Sequence, residues 1–137
     1  DKAARSLRVY RRGSVVARYP AELGTAGLSP KRHAGDRATP EGRYRVVKVK
    51  TGGSTKYYKA LLLDYPNADD RRRFEAAKAA GEIPRRVGIG SLIEIHGHGG
   101  QGRDWTEGCV ALADRHMDEL LELVGHGTPV TIVGSAE

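Results

Sequence analysis

SLIEIHGHGGQGRDWTEGCVAL, from Ser91 to Leu112, contains the only cysteine of the chain and two of its five histidines, and its reading decides the rest. SLIEIHGH alternates with a period of two, placing Ile93 and Ile95 on one face and Glu94, His96 and His98 on the other. That predicts a strand ending in a glycine loop, with both histidines on one face. Cys109 follows His96 by thirteen positions. A loop this rich in glycine can fold back and lay the next segment, which starts at Cys109, beside the strand.

On the C-terminal side, Met117, Leu120, Leu121 and Val124 recur at the spacing of one buried helical stripe. Asp114 stands where an N-cap belongs, and Gly125 and Gly127 stop the helix. TPVTIV (128–133) then reads as a buried strand of β-branched residues. On the N-terminal side, ADDRRRFEAAKAAGEIP (68–84) favours a helix closed by Gly81 and Pro84. Its thin apolar face predicts a half-packed or exposed element, with RRR as solvated surface. KYYKALLLDYP (56–66) is β-prone and ends at Pro66. RYRVVKVK (43–50) alternates as a strand, with Tyr44, Val46 and Lys48 on one face and Val47 and Val49 on the other. LRVYRRGSVVARYP (7–20) predicts a hairpin about Arg12-Gly13, and ELGTAGLSPKRHAGDRATPEG (22–42) a long surface loop. The expectation is one mainly β (α+β) domain over residues 1–137, with two helices packed on the strands.

Composition narrows the function classes. At 137 residues the chain can bury a core without metal or disulfide staples, and 39% apolar with 29% charged residues is the balance of a soluble globular domain. Nothing approaches the roughly 18 apolar residues of a membrane span, and DKAARSLRVYRR lacks the apolar centre of a signal peptide, so any export signal is expected outside this sequence. The net charge of +6 suits an anionic partner. The basic residues are nevertheless dispersed and few aromatics accompany them, so no nucleic-acid module is expected.

A single cysteine excludes an intramolecular disulfide and leaves three readings. Followed by Val110, Ala111 and Leu112, Cys109 can be an inert core residue. With His96 and His98 it can make a three-ligand zinc site, although no further cysteine or spaced carboxylate pair accompanies them. With a histidine as base it can be a nucleophile, and Gly108 leaves bare backbone amides before the sulfur to meet an oxyanion. Trp105 suits either a substrate groove or a half-buried packing anchor, and Arg103 with Asp104 can pair or meet the charged ends of a peptide. Glu94 reads as an exposed strand residue.

IHGHGGQGRDWTEGCVAL resembles the signature of YkuD-type L,D-transpeptidase domains: a strand ending in IHG, a glycine loop, then Ser/Thr-x-Gly-Cys and apolar residues. GDRATPEGRYRV resembles the family's TPxGxY segment, LLLDYPNADDR its tyrosine-rich stretch and GTPVTIV its terminal strand, so the similarity runs over residues 6–134. The DWTEGC block is similar to that of the YafK-like branch. It departs from the commoner SHGC block, lacking the second histidine and the polar residue that follows the apolar one; Ala111 stands there.

The resemblance implies a β-sandwich or barrel with two packed helices. It implies Cys109 as nucleophile, His96 as base, the Gly97 carbonyl as the group that orients the imidazole, and the Gly108 and Cys109 amides as oxyanion donors. Trp105, Thr106, His98, Arg103 and Tyr65 are the candidate substrate contacts. The implied reaction is acyl transfer on peptidoglycan stem peptides, with no metal and no organic cofactor. The acceptor is an amine of another stem, an amine of a wall-anchored lipoprotein, or water, which would make the chain an L,D-carboxypeptidase or amidase. A bacterial cell envelope or periplasmic location is implied with it. The competing reading is a non-catalytic wall-binding module.

Overall fold

A computed structural model of the chain describes residues 1–136, so Glu137, the last residue of the expected domain, lies outside the described residues. Two antiparallel strands open the chain, β1 (Ser6–Arg11) and β2 (Ser14–Pro20). Between them Arg12 and Gly13 both take positive φ, 52° and 80°, the two-residue turn whose twist matches that of the flanking strands. The second sheet has five strands in the order β6-β5-β4-β3-β7. Its members are β3 (Gly42–Lys50), β4 (Ala60–Leu63), β5 (Glu94–His96), β6 (Val110–Ala111) and β7 (Pro129–Ile132). All its neighbours are antiparallel except β5 and β6, which run parallel. Isolated bridges Glu22↔Ala111 and Gly24↔Thr106 fasten the segment after β2 to β6 and to the loop that precedes it.

The main core lies between the sheets and the second helix, α2 (Asp114–Leu123). Val9, Tyr19 and Leu23 meet Val46, Leu61, Ile95 and Val110, and α2 adds Met117 and Leu120. The first helix, α1 (Ala68–Ala79), starts at an Asn67 capping box: Asn67 Oδ1 accepts from the Asp70 amide, and the Asp70 carboxylate accepts from the Asn67 amide. It buries Phe74 and Ala77 with Ile83 in a small separate cluster, as a half-packed helix should. This is the mainly β architecture with two helices that was expected. No helix among the described residues is long and apolar enough to cross a membrane.

Local readings failed where tertiary context intervened. In β3, Tyr44 and Val46 are buried, but a register shift between Val46 and Lys48 breaks the alternation and turns Lys48 to solvent. β7 is an edge strand, so of its four residues only Ile132 is buried. In α2, Leu121 and Val124 are only half-buried. Asp114 is not its N-cap: Ala113 occupies that position without a side-chain cap, and Asp114 Oδ1 instead accepts the His98 amide at 2.7 Å. His98 itself lies past β5 with φ +65°, so it leaves the strand's alternation and stands exposed, apart from the buried His96.

Candidate active site

Parallel pairing of Ile95 with Val110 and of His96 with Ala111 sets two segments side by side. Partners in register share a face, so Glu94 and His96 lie on the same face as Ala111 and as Cys109, which immediately precedes β6. The Glu94 amide donates to Cys109 Sγ at 3.3 Å, and the thiol donates to the Leu92 carbonyl at 3.4 Å. Burial pushes the thiol up to about 11; the Glu94 amide and Lys31 pull it back, while the Glu94 and Glu107 carboxylates add to the rise. Cys109 therefore rests protonated and needs a base to become a nucleophile.

His96 is 1% exposed, and its Nδ1 lies 2.8 Å from the Gly97 carbonyl. A carbonyl only accepts, so Nδ1 carries the proton and Nε2 keeps its lone pair. Burial lowers the pKa of the ring below its usual value, partly offset by the Gly97 carbonyl, which keeps it neutral at pH 7. The imidazole is stacked on Tyr57, ring centroids 4.1 Å apart at 13°, and meets the edge of Trp105 at 5.7 Å. Gly97 anchors the arrangement, its amide donating to the carbonyls of Tyr57 and Lys59 at 3.0 and 3.1 Å. A Cβ at Gly97 would stand 2.6 Å from both Asp114 Oδ1 and the Tyr57 carbonyl, so only glycine fits. No hydrogen bond joins Cys109 to His96 among the described residues, although the two share a face of the β5–β6 pair; catalytic bonds commonly tighten only when substrate is bound.

Gly108 has φ +141°, and a Cβ there would lie 2.8 Å from the Ala38 carbonyl. Its amide donates to Thr106 Oγ1 at 3.2 Å, and that hydroxyl donates to the Cys109 carbonyl at 2.6 Å. Thr106, 4% exposed, thus braces the turn before the sulfur instead of facing a groove. Trp105 is half-buried, its Nε1 donating to Glu22 Oε1 at 2.8 Å, which fixes the ring between His96 and the segment after β2. The structure sets Tyr65 in the core, packed near Tyr44 with its hydroxyl on the Ile89 carbonyl at 3.0 Å. Arg103 is exposed and meets Gln101, while Asp104 pairs with Arg5 and not with Arg103. Glu94, expected in solvent, is buried and paired with Lys50 at 2.6 Å. Among the described residues no group of three or more His, Cys, Asp or Glu is placed to hold a metal ion.

Four contributors escaped sequence reasoning: Tyr57, Lys50, Glu22 and Lys31. Each reaches the site from a segment distant in the chain, and KYYK reads locally only as β-prone. No sequence signal marked Lys50 or Lys31 apart from the other dispersed cations.

The chain is similar to known proteins over most of its length. Residues 1–132 match the model of the YkuD family, the L,D-transpeptidase catalytic domain. The chain is 31% identical over 102 residues to the Escherichia coli (strain K12) protein named "Putative L,D-transpeptidase YafK", covering 73% of this chain and 33% of that one. This chain thus spans about a third of that relative's length. Among solved structures, Bdellovibrio bacteriovorus Bd1075 is similar with TM-score 0.70 and 24% identity, over 98% of this chain and 46% of that one. Campylobacter jejuni Pgp2, a helical cell shape determining protein, gives TM-score 0.67 and 25% identity, over 95% and 44% of the two chains. An L,D-transpeptidase from Xylanimonas cellulosilytica gives 0.61 and 17%, over 94% and 55%, a likeness of fold alone. A match over nearly the whole described length means that the chain belongs to the YkuD family of L,D-transpeptidase catalytic domains.

Proposed function

We propose that the chain is a cysteine-dependent acyltransferase acting on peptidoglycan stem peptides, with Cys109 as nucleophile and His96 as base. The observation that carries this reading is the 2.8 Å bond between His96 Nδ1 and the Gly97 carbonyl, in a residue that shares a strand face with Cys109: a carbonyl only accepts, so Nε2 is left as the basic nitrogen. In the first step Nε2 takes the thiol proton as Sγ attacks the amide carbonyl. Collapse of the tetrahedral intermediate breaks the C–N bond, and the imidazolium returns its proton to the leaving amine. The resulting thioester is resolved by a second amine, giving transfer, or by water, giving hydrolysis.

Oxyanion stabilisation falls first to the Cys109 amide, because the Gly108 amide must give up its 3.2 Å bond to Thr106 before it can contribute. Trp105 and Tyr57 form the walls nearest His96 and are the proposed substrate contacts there. His98 and Arg103, both exposed on the loop after β5, can reach substrate only beyond those walls. A wall substrate places the protein in the cell envelope.

The test is mass spectrometry of purified muropeptides after incubation with the wild-type chain and with Cys109→Ala, with and without a D-amino acid acceptor. Wild-type protein is expected to give cross-linked or exchanged products that Cys109→Ala lacks, a loss of about a thousandfold or more. Cys109-dependent products that are only shortened would assign hydrolysis. Identical products from both proteins would remove the thiol from the reaction.

A further inference from the structure

A cavity of about 590 Å³, lined by neither Cys109 nor His96, opens between the end of β2, the glycine loop after β5 and the first turn of α2. Its size is that of a ligand pocket. Its charges do not balance. Two carboxylates line it, and both are fully engaged by protein donors. Asp104 receives Arg5 at 2.7 and 3.2 Å and the Leu23 amide at 3.0 Å. Glu22 receives Trp105 Nε1 at 2.8 Å and the Gly102 amide at 2.6 Å.

The remaining cations have no such partners. Arg103 touches only the neutral Gln101 amide, at 3.2 Å, and Arg115 makes no hydrogen bond or ion pair among the described residues. Arg103 and Arg115 both line the cavity, beside the start of α2, whose N-cap Ala113 supplies no side-chain acceptor. Gly100 and Gly102 form another part of the wall, where a second backbone can approach closely, while Gly99 packs against the Leu112 backbone. No tryptophan, tyrosine or phenylalanine lines the space, and its one ring is the imidazole of His116, which already packs against Tyr19 with ring centroids 5.0 Å apart.

We infer that this cavity is a second substrate subsite, which binds a carboxylate-bearing peptide segment through Arg103 and Arg115 with its backbone against the glycine loop. Guanidinium groups favour carboxylate through paired, charge-assisted hydrogen bonds. Glu22 joins this subsite to the catalytic face, since one of its oxygens holds Trp105 against His96 while the other holds Gly102 at the cavity. The choice of peptide as the source of the carboxylate rests on the wall-peptide reading above.

The test is a nuclear magnetic resonance titration of the ¹⁵N-labelled chain with the end-blocked tripeptide Ala-Glu-Lys, with Ala-Gln-Lys and inorganic phosphate as the other arms. Saturable shifts are expected at the amides of Gly99, Gly100 and Gly102 with the Glu peptide. Binding should weaken by about tenfold or more for the Gln peptide, and likewise in Arg115→Ala, whose exposed side chain can be removed without unfolding the chain. Absence of saturable shifts, equal affinity for the two peptides, or undiminished affinity in Arg115→Ala would overturn the inference. Phosphate binding as tightly as the Glu peptide would overturn its peptide assignment. Because the readout is binding, a failed Cys109 assay would leave this result standing on its own.

Discussion

Cys109 and His96 are each in the wrong charge state for an ion pair: burial raises the thiol and lowers the imidazole. A thiolate-imidazolium couple needs the thiol to be the stronger acid, and here the order is reversed. Alkylation of free Cys109 by iodoacetamide is therefore expected to keep rising with pH beyond 9, toward the thiol value of about 11. A rate already level at pH 7 would mean that the pair exists at rest. In the proposed mechanism proton transfer to His96 then occurs as Sγ attacks, so the base has to be held in place beforehand. Tyr57 does this through its ring, stacked at 4.1 Å, and through its carbonyl, which holds the Gly97 amide. Substituting Tyr57→Phe keeps both and should leave kcat/KM nearly unchanged. Tyr57→Ala keeps only the carbonyl and should lower kcat/KM about threefold to tenfold, the worth of one aromatic pair.

Helix α1 depends on its start, because its apolar face is thin. Asn67 satisfies the Asp70 amide, and its side-chain NH₂ also donates to the Arg43 carbonyl at 2.9 Å, so one residue both caps the helix and ties it to β3. Asn67→Ala should cost about 1–2 kcal/mol, seen as a Tm lower by about 3–8 °C, without loss of acylation at Cys109. Tm unchanged within a degree would show that the cap contributes nothing. The existence and type of most elements were legible because they follow local periodicity: the hairpin at Arg12-Gly13, the short strand about Ile95, the stripe of Met117 and Leu120. What was not legible is non-local. The register shift that turns Lys48 outward comes from pairing with β4, and the exposure of β7 from its place at the sheet edge. Asp114 looked like a cap because aspartate favours that position, yet its carboxylate is taken by the amide of His98, sixteen residues earlier. At the site the same division holds: IHG and GC were readable as adjacent motifs, whereas Tyr57 and the Lys50–Glu94 pair arrive through the sheet.

Across the whole molecule, the segment from Ala21 to Glu41 carries no regular strand or helix, yet its middle and its C-terminal end are fastened by buried charge. Lys2, 1% exposed, donates to the carbonyls of Ser29 and Thr39 and to Glu41 Oε2. Lys31, with a side chain 4% exposed, pairs with Asp36 at 2.9 Å. That pairing matters to the thiol as well, since Lys31 is one of the charges pulling the pKa of Cys109 down. Burial disfavours the Asp36 carboxylate, but Lys31 and the amides of Arg32, His33 and Ala38 outweigh it and hold its pKa below the usual 3.8. A carboxyl lowered on folding contributes stability that is complete above 3.8 and is lost as pH falls through the folded value. Asp36→Asn should therefore cost about 2 kcal/mol at pH 7, where a charge-assisted acceptor is lost and Lys31 is left buried without its counter-ion. As pH falls below the usual 3.8, the wild-type carboxyl becomes protonated and the two proteins should converge in urea midpoint. A gap that stays the same size from pH 7 to pH 2 would mean that the loop is held by the shape of residue 36 and not by its charge. The same substitution removes the neutralising partner of Lys31, so a lowered thiol value in the alkylation profile should accompany the loss of stability at pH 7.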